Sequence, residues 1–275
     1  MKSQNWRNTF CIWLMKLHRI KALLFKHWCI TKNSIERIFD LFYWPLLDIL
    51  TWGFMSIFLV GENVPNLLNV FIGSAVLWVF VWRNAQDFSV YLLEEFWSKN
   101  LYHLFASPIR ASEHIASLMI LGILRGFVSF IFLTGVAYLL YHLNIFMIPP
   151  AILGLSMLNL MLFGWAIGIF INTIIFWMGK RMQVIAWSVV WIVYPFSCLF
   201  YPLSSLPSWA HAIAKVLPTT WTFESLRAVF NSTPIPTKGI IYAISMDLVL
   251  IIVGFLLLGM SIKRARMAGR LAKPE

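Results

Sequence analysis

The sequence predicts an all-α integral membrane protein, and its composition and hydropathy lead to this fold class. The chain has 275 residues, of which 60% are hydrophobic and 12% charged, and its mean hydropathy is +0.77. Soluble domains have about 45–50% apolar and about 25% charged residues. A globule of this size cannot hide so much apolar surface from water in one core. Composition therefore excludes a soluble enzyme, a disordered chain and a fibrous protein.

The N-terminal segment, residues 1–40, is basic and amphipathic. In a helix, five of its apolar residues would lie within one arc of about 80°. They are Trp13, Leu17, Ile20, Leu24 and Trp28. Lys and Arg flank this stripe, which favours a helix lying among the headgroups of the cytoplasmic leaflet. A helix that packs on a partner protein is the alternative.

Six apolar runs are candidates for membrane-spanning helices, which need about 20 such residues. The runs are Leu41–Val60, Leu67–Trp82, Ile115–Tyr141, Ala151–Trp177, Val184–Tyr201 and Ile240–Ile262. The second run is short and the third and fourth are long, so we expect tilts or breaks. Trp and Tyr near the ends of runs, among them Trp44, Trp78 and Trp82, are typical of interfacial belts.

The distribution of Lys and Arg predicts that both termini lie in the cytoplasm. Segment 1–40 carries eight of these residues, the stretches after the second and fourth runs carry three and two, and the tail carries five. The opposite side has only three. We therefore predict a single domain with a basic cytoplasmic segment (1–40), a six-helix membrane region (41–262) and a basic cytoplasmic tail (263–275).

The stretch between the second and third runs predicts a short amphipathic helix that contacts a partner. Its apolar face would consist of Phe96, Leu101, Leu104 and Phe105, and Pro108 would end it. Glu94 and Glu95 suit the positive N-terminal end of such a helix, and Trp97 is a large side chain of the kind that anchors protein interfaces. A solvated loop helix is the alternative.

The outer segment Pro202–Gly239 is too apolar for an ordinary loop, because apolar residues alternate there with four prolines. This pattern predicts two short, proline-bounded helices that dip into the outer interface.

Three ionisable residues fall inside predicted spans, where charges are costly and often functional. They are Asp48, Arg125 and Asp247. They would either line a substrate or ion path, or form a structural ion pair, or extend to an interface.

The sequence has no recognisable catalytic motif, and Gly179-Lys180-Arg181 lacks the spacing of a phosphate loop. Its six histidines show no metal-ligand spacing, and its three cysteines are best interpreted as free thiols. We therefore expect no catalytic residue, metal or cofactor in this chain. Any energy for transport would come from another chain.

Three stretches resemble the permease subunits of type-2 ATP-binding-cassette exporters. The first is the basic N-terminus followed by Tyr43-Trp44-Pro45-Leu46-Leu47. The second is Glu94–Arg110 with Glu113-His114, and the third runs from Tyr201-Pro202-Leu203-Ser204-Ser205-Leu206-Pro207-Ser208-Trp209 through Leu217-Pro218-Thr219-Thr220-Trp221 to Leu226-Arg227.

The resemblance implies a dimer of six-helix subunits, each bound to a cytoplasmic ATPase that holds ATP and Mg²⁺. Glu94, Glu95, Trp97, Leu101 and Leu104 would belong to a coupling helix that docks into the ATPase. The N-terminal helix would add a second contact, and the stretch Pro202–Arg227 would form an outer re-entrant pair.

Two departures bear on these expectations. Lys99-Asn100 replaces the Gly-Thr pair of many relatives, and Leu217-Pro218 replaces the Asn-Pro of many polysaccharide exporters. The second favours an amphipathic or lipid-linked substrate, such as a drug, a lipid or a lipo-oligosaccharide.

The sequence thus predicts an inner-membrane permease that contacts membrane lipid but no nucleic acid. It would work as a homodimer, with a second, identical permease subunit and two ATPase copies. A non-identical second subunit, giving a heterodimer, is the alternative. A membrane-embedded enzyme or assembly factor acting on lipids without an ATPase is the competing hypothesis.

Overall fold

The computed structural model describes residues 3–60, 66–97, 109, 111–178 and 183–267, in which nine α-helices and no strands occur. The helices are α1 (Ser3–Lys32), α2 (Ile35–Val60), α3 (Leu67–Trp97), α4 (Ala111–Tyr141), α5 (Pro150–Met178), α6 (Gln183–Val193), α7 (Ser208–Val216), α8 (Pro218–Phe230) and α9 (Thr237–Met267). Short 3₁₀ turns lie at Ile145–Met147, Tyr194–Ser197 and Leu203–Ser205. The all-α class is confirmed. Within the described ranges, α2, α3, α4, α5 and α9 are long and apolar enough to cross a membrane.

Helices α3 and α5 form the centre of the molecule. In their most apolar stretches 78% and 72% of the residues are buried, against 28% in α2 and 17% in α9. Helix α3 packs against α2, α4 and α5, and α9 packs against α5. Helices α2 and α9, at the periphery, therefore present apolar side chains such as Phe58 and Leu256 to the surroundings, as helices in contact with lipid or another subunit do.

Helices α3 and α5 approach closely at Gly164, where a larger side chain would not fit. A Cβ added there would lie 2.8 Å from the Asn84 Cβ and 2.9 Å from the Val81 carbonyl oxygen. Small residues allow the backbones of membrane helices to approach this closely. Close packing then stabilises the helix pair, because in lipid there is no hydrophobic effect to hold two helices together. By contrast, Gly154, earlier in α5, faces open space.

Helix α2 contains Pro45, which leaves the Leu41 carbonyl without its usual helical partner. The Ser129 hydroxyl of α4 donates a hydrogen bond to that carbonyl at 3.0 Å. A free carbonyl is costly in hydrocarbon, so this bond stabilises the proline-containing helix and holds it against α4.

The predicted end of the second span is wrong. Helix α3 does not stop at Trp82 but continues to Trp97, so this helix is long rather than short. Arg83, which the sequence places in a cytoplasmic loop, has a side chain only 1% exposed within the helix. Glu94 and Glu95 lie in the last turn of α3 instead of beginning a separate helix. Buried ion pairs, described below, allow the helix to continue through this polar stretch.

The fifth predicted span, Val184–Tyr201, is shorter than expected. Helix α6 ends at Val193, and a 3₁₀ turn containing Pro195 follows. Pro195 has no N–H for the Trp191 carbonyl, so the α-helical pattern cannot continue. Cys198 then adopts a left-handed conformation with φ of 51°, which redirects the chain.

The segment between α6 and α9 forms α7 and α8, with Pro207 just before α7 and Pro218 as the first residue of α8. Proline suits this position because the first N–H groups of a helix have no internal partner. From α8, Arg227 donates hydrogen bonds to the carbonyls of Cys198 and Tyr201 at 3.0 Å each. These bonds fasten α8 to the chain that follows α6.

The N-terminal helix α1 packs beside α4 and α2. Leu23 and His27 are buried, whereas Leu17 and Trp28 of the predicted stripe are 50% and 64% exposed. The face of α1 that packs against the other helices is therefore adjacent to the predicted apolar stripe, and part of that stripe is exposed. The side chain of Trp13 lies outside the described part of the structure.

Candidate functional site

A cavity of about 560 Å³ lies between α2, α3 and α6. Its aromatic walls are Trp44, Trp52, Trp78, Trp82, Trp191 and Tyr194. Ligand pockets in proteins typically have volumes of about 300–1,000 Å³ and mostly apolar walls with a few polar groups. The volume and lining of this cavity are of that kind.

Asp48 supplies a carboxylate to this cavity from the middle of α2. The Trp52 indole donates a hydrogen bond to its Oδ1 at 2.9 Å, and the Tyr194 hydroxyl donates at 3.4 Å. The Trp52 indole also reaches the Tyr194 oxygen at 3.1 Å. Two aromatic donors thus hold one oxygen of the carboxylate in place.

Helical spacing explains how these residues meet. Trp44, Asp48 and Trp52 follow one another at intervals of four and share one face of α2, as do Trp78 and Trp82 on α3. Ring contacts then connect the walls. Trp78 meets Tyr194 edge-on at 5.1 Å, and Trp82 meets Trp191 in the same way at 5.4 Å.

The prediction that these tryptophans form interfacial belts is wrong for Trp78, which is only 4% exposed and lies inside the fold. Trp82 likewise turns towards the cavity, together with Trp191. A tryptophan near the end of an apolar run is compatible both with an interfacial belt and with burial inside the fold. The signal that sequence reasoning missed is the i, i+4 spacing of Trp44, Asp48 and Trp52.

A second polar group, the buried ion cluster, joins α2, α3 and α4. It consists of Asp40, Arg83, Asp87 and Arg125. Arg83 donates to the Asp40 carboxylate at 2.7 Å and to the Asp40 carbonyl at 2.6 Å. Arg125 donates to Asp87 at 2.7 Å, and the remaining distances, Arg83 to Asp87 and Arg125 to Asp40, are 3.8 Å. The two positive charges of the cluster are therefore balanced by its two negative charges.

Of the three interpretations of Arg125, the structure shows the ion pair. Its side chain is 9% exposed and also reaches the Tyr91 hydroxyl at 3.3 Å and the Arg37 carbonyl at 3.4 Å. Sequence analysis identified Arg125 but not Asp87 or Arg83. The i, i+4 spacing of Arg83 and Asp87 was the available signal, since such pairs stabilise a helix that continues through polar residues.

The last turn of α3 is tied to the first two helices. Glu94 pairs with Arg37 of α2, and Glu95 pairs with Lys26 of α1. Glu95 is 5% exposed, so its carboxylate lies within the fold rather than on an open surface. For Trp97 the structure describes the backbone only, and Leu101 and Leu104 lie outside the described residues. Docking by these residues stays a prediction.

His27 packs against the preceding turn of α3, with its ring edge-on to Tyr91 at 4.6 Å between centroids. Burial lowers the pKa of His27 to about 3, and the neighbouring His114 and Lys26 act in the same direction. The imidazole of His27 is therefore neutral at physiological pH. Helix α1 thus docks through a neutral buried histidine and through the ion pairs Lys26–Glu95 and Arg19–Glu113.

Asp247 of α9 belongs to neither group and is fully buried. Asn159 of α5 donates to its Oδ2 at 2.7 Å, and the Thr222 hydroxyl of α8 in turn donates to the Asn159 oxygen. Asp247 Oδ1 has no hydrogen-bond partner among the described residues. This chain of hydrogen bonds connects α8 to α5 and α9. Asp48, Arg125 and Asp247 are thus in three separate environments.

The described residues contain no group of three or more His, Cys, Asp or Glu able to hold a metal ion.

A family model, ABC-2 type transporter, matches residues 23–231, about three quarters of the chain. The match includes the cavity, the ion cluster and helix α8. No curated protein matches the sequence.

Proposed function

This chain belongs to the ABC-2 type transporter family as a membrane permease component, and we propose that it exports an amphipathic or lipid-linked substrate using a separate ATPase. The five long apolar helices among the described residues make it a multi-pass membrane protein. The observation that carries the proposal is the family match across residues 23–231, which includes α2, α3 and α6, the helices that line the cavity. The proposed location is the inner membrane, with both termini in the cytoplasm, because Lys and Arg concentrate on that side.

We place the ATPase contact at the end of α3 and in the residues that follow. Leu101 and Leu104 would provide the apolar contact and Trp97 an anchor. Glu94 and Glu95 would act from within the fold, because their pairs with Arg37 and Lys26 attach this turn to α2 and α1. A push from the ATPase would then move three helices together.

The proposed assembly contains two permease chains and two ATPases. Exposed apolar residues on α2 and α9 provide surfaces for a second permease chain or for lipid. In the family's general scheme, closure of the ATPases on ATP moves the permeases and opens a path outward. Helices α7 and α8, between α6 and α9, are the proposed outer re-entrant pair.

The first experiment is purification of the tagged protein from its native membrane in mild detergent, with mass-resolved stoichiometry. We expect an ATPase in a two-to-two complex with the permease. A monomer or dimer without ATPase, reproduced in several detergents, would refute the proposal and favour the membrane-embedded enzyme.

The docking assignment is tested with Leu101→Asp and Leu104→Asp in the purified complex. We expect loss of the ATPase and of substrate-stimulated ATP hydrolysis, with normal membrane insertion. Val216→Asp is the matched control, because it places the same charge on an apolar residue 51% exposed in α7. Normal transport by the Leu101 and Leu104 variants would show that the docking site lies elsewhere.

A further inference from the structure

The cavity between α2, α3 and α6 has the electrostatic character of a site for a cation. Two carboxylates, Asp40 and Asp48, line it, and no Lys or Arg is among the described lining residues. Asp40 is already neutralised by Arg83 and Arg125. Asp48 has no ion pair with any described residue, and its two donors, Trp52 and Tyr194, are neutral. The cavity therefore has one carboxylate whose charge is not balanced.

The walls add a second attraction for cations. Five indole rings and one phenol surround the space, and the faces of such rings attract positive charge through their quadrupoles. Tryptophan is the strongest of these residues, and the attraction increases where water is excluded. Lipophilic ammonium and phosphonium ions gain most, because they carry charge without a tightly held hydration shell.

We propose that this cavity binds a lipophilic organic cation, with Asp48 as the counter-ion and the aromatic residues as the walls. An anionic ligand is disfavoured because the described lining offers it a carboxylate and no basic side chain. A wholly neutral ligand would leave the Asp48 carboxylate without a counter-ion in a mostly apolar space. The proposal narrows the substrate class of the proposed exporter and rests on that function for its physiological role. Binding itself requires neither the ATPase nor ATP.

The test uses the full chain in lipid nanodiscs and two ions of closely similar shape and opposite charge, tetraphenylphosphonium and tetraphenylborate. Radiolabelled tetraphenylphosphonium is expected to bind one site per chain above the background of empty nanodiscs. Tetraphenylborate is expected not to compete at equal concentration. Equal competition by the two ions would overturn the proposal, because it would indicate an apolar pocket without charge selection.

Substitutions locate the site. Asp48→Asn and Trp191→Ala are each expected to weaken tetraphenylphosphonium binding about tenfold. Glu36→Gln removes an exposed carboxylate from the same helix, and Trp209→Ala removes an exposed indole from α7; both should leave binding unchanged. If Asp48→Asn binds like wild type while remaining monodisperse, the assignment is wrong.

Protection of a cysteine from chemical labelling tests the site without changing Asp48 or the aromatic walls. Thr51 lines the cavity and is exposed, so Thr51→Cys, made in a chain with its three native cysteines replaced, should react with a maleimide. Tetraphenylphosphonium is expected to slow this reaction at least fivefold, and tetraphenylborate is expected not to slow it. Cross-linking of Thr51→Cys between two chains, unaffected by tetraphenylphosphonium, would show a second copy occupying the cavity and would overturn the proposal.

The outcomes separate this inference from the proposed function. Asp48-dependent binding without ATP-driven transport in vesicles containing the ATPase would support the cation site and count against the exporter. ATP-driven transport of another substrate, with no tetraphenylphosphonium binding, would support the exporter and refute the cation site.

Discussion

Replacing Asp87 with leucine tests whether charge balance stabilises the buried ion cluster. In the native chain Arg83 and Arg125 are balanced by Asp40 and Asp87, and the side chains of Arg83, Arg125 and Asp87 are all less than 10% exposed. Asp87→Leu removes one negative charge and leaves Arg125 without its partner at 2.7 Å. Breaking a buried pair in this way costs about 3–5 kcal/mol, because it leaves a charge that nothing compensates.

The double variant Asp87→Leu with Arg125→Met restores neutrality. The remaining pair, Arg83 with Asp40, keeps both of its hydrogen bonds, 2.7 Å and 2.6 Å long. The double variant is therefore expected to be more stable than Asp87→Leu alone, by about 2 kcal/mol or more. Replacing whole buried ion pairs with apolar residues is often neutral or stabilising, so recovery is expected even though contacts are lost.

The assay is reversible unfolding in mixed micelles, followed by circular dichroism, with size-exclusion chromatography on each variant. A loss of about 3 kcal/mol corresponds to roughly a hundredfold change in the unfolding constant, well within the range of this method. Arg125→Met alone completes the double-mutant cycle, in which the stability losses of the two single variants are compared with the loss of the double variant. If the two losses simply add, or if Asp87→Leu matches wild type, charge balance does not explain the stability of this region.

Three further predictions concern other parts of the fold. Gly164→Val should destabilise the protein by about 2 kcal/mol or more through overpacking, whereas Gly154→Val, where a side chain has open space, should change its thermal midpoint little. Ser129→Ala should lower the free energy of unfolding by about 1–3 kcal/mol, because it removes the hydrogen bond to the Leu41 carbonyl that Pro45 leaves free. Adding Pro45→Ala should restore much of this loss in the same unfolding assay. A further loss in the double variant would contradict the explanation. His27 has its pKa lowered to about 3, so protonation favours the undocked helix. Docking of α1 should weaken as pH falls below about 6.5, by about 2 kcal/mol at pH 5. Hydrogen exchange in α1 should show this loss more strongly in wild type than in His27→Gln, in which the neighbouring buried His114 remains; an equal loss in the two chains would contradict the assignment to His27.

The helices that the sequence predicts best are those whose signal is local. Four of the long helices contain apolar runs that extend over nearly their whole length, and the prolines at 207 and 218 mark the starts of α7 and α8. The end of α3 could not be found in this way. Arg83 and Asp87 lower the hydropathy, and only their partners Asp40 and Arg125, on two other helices, make burial of these charges favourable.

The candidate site shows the same division. Asp48, Arg125 and Asp247 are visible in the sequence as charges within apolar runs, but their roles depend on neighbours distant in the chain. Asp247 meets Asn159, 88 residues earlier, and Arg125 meets Asp87, 38 residues earlier. Spacing within one helix could not tell the ion pair of Arg125 from the open carboxylate of Asp48.

Asp40 connects the two polar groups, and this explains how the end of α3 can influence the cavity. Its carboxylate accepts a bond from Arg83 in the ion cluster and also lines the aromatic cavity, where its side chain is 38% exposed. Arg37, three residues earlier on α2, pairs with Glu94 in the last turn of α3. A displacement of that turn would therefore pull on the stretch of α2 that carries Asp40 and leads to Asp48. Because buried charge pairs tolerate little separation before their energy is lost, this part of α2 must either move with α3 or break its pairs. The proposed ATPase contact and the proposed cation site are thus connected through one helix by salt bridges that are already formed.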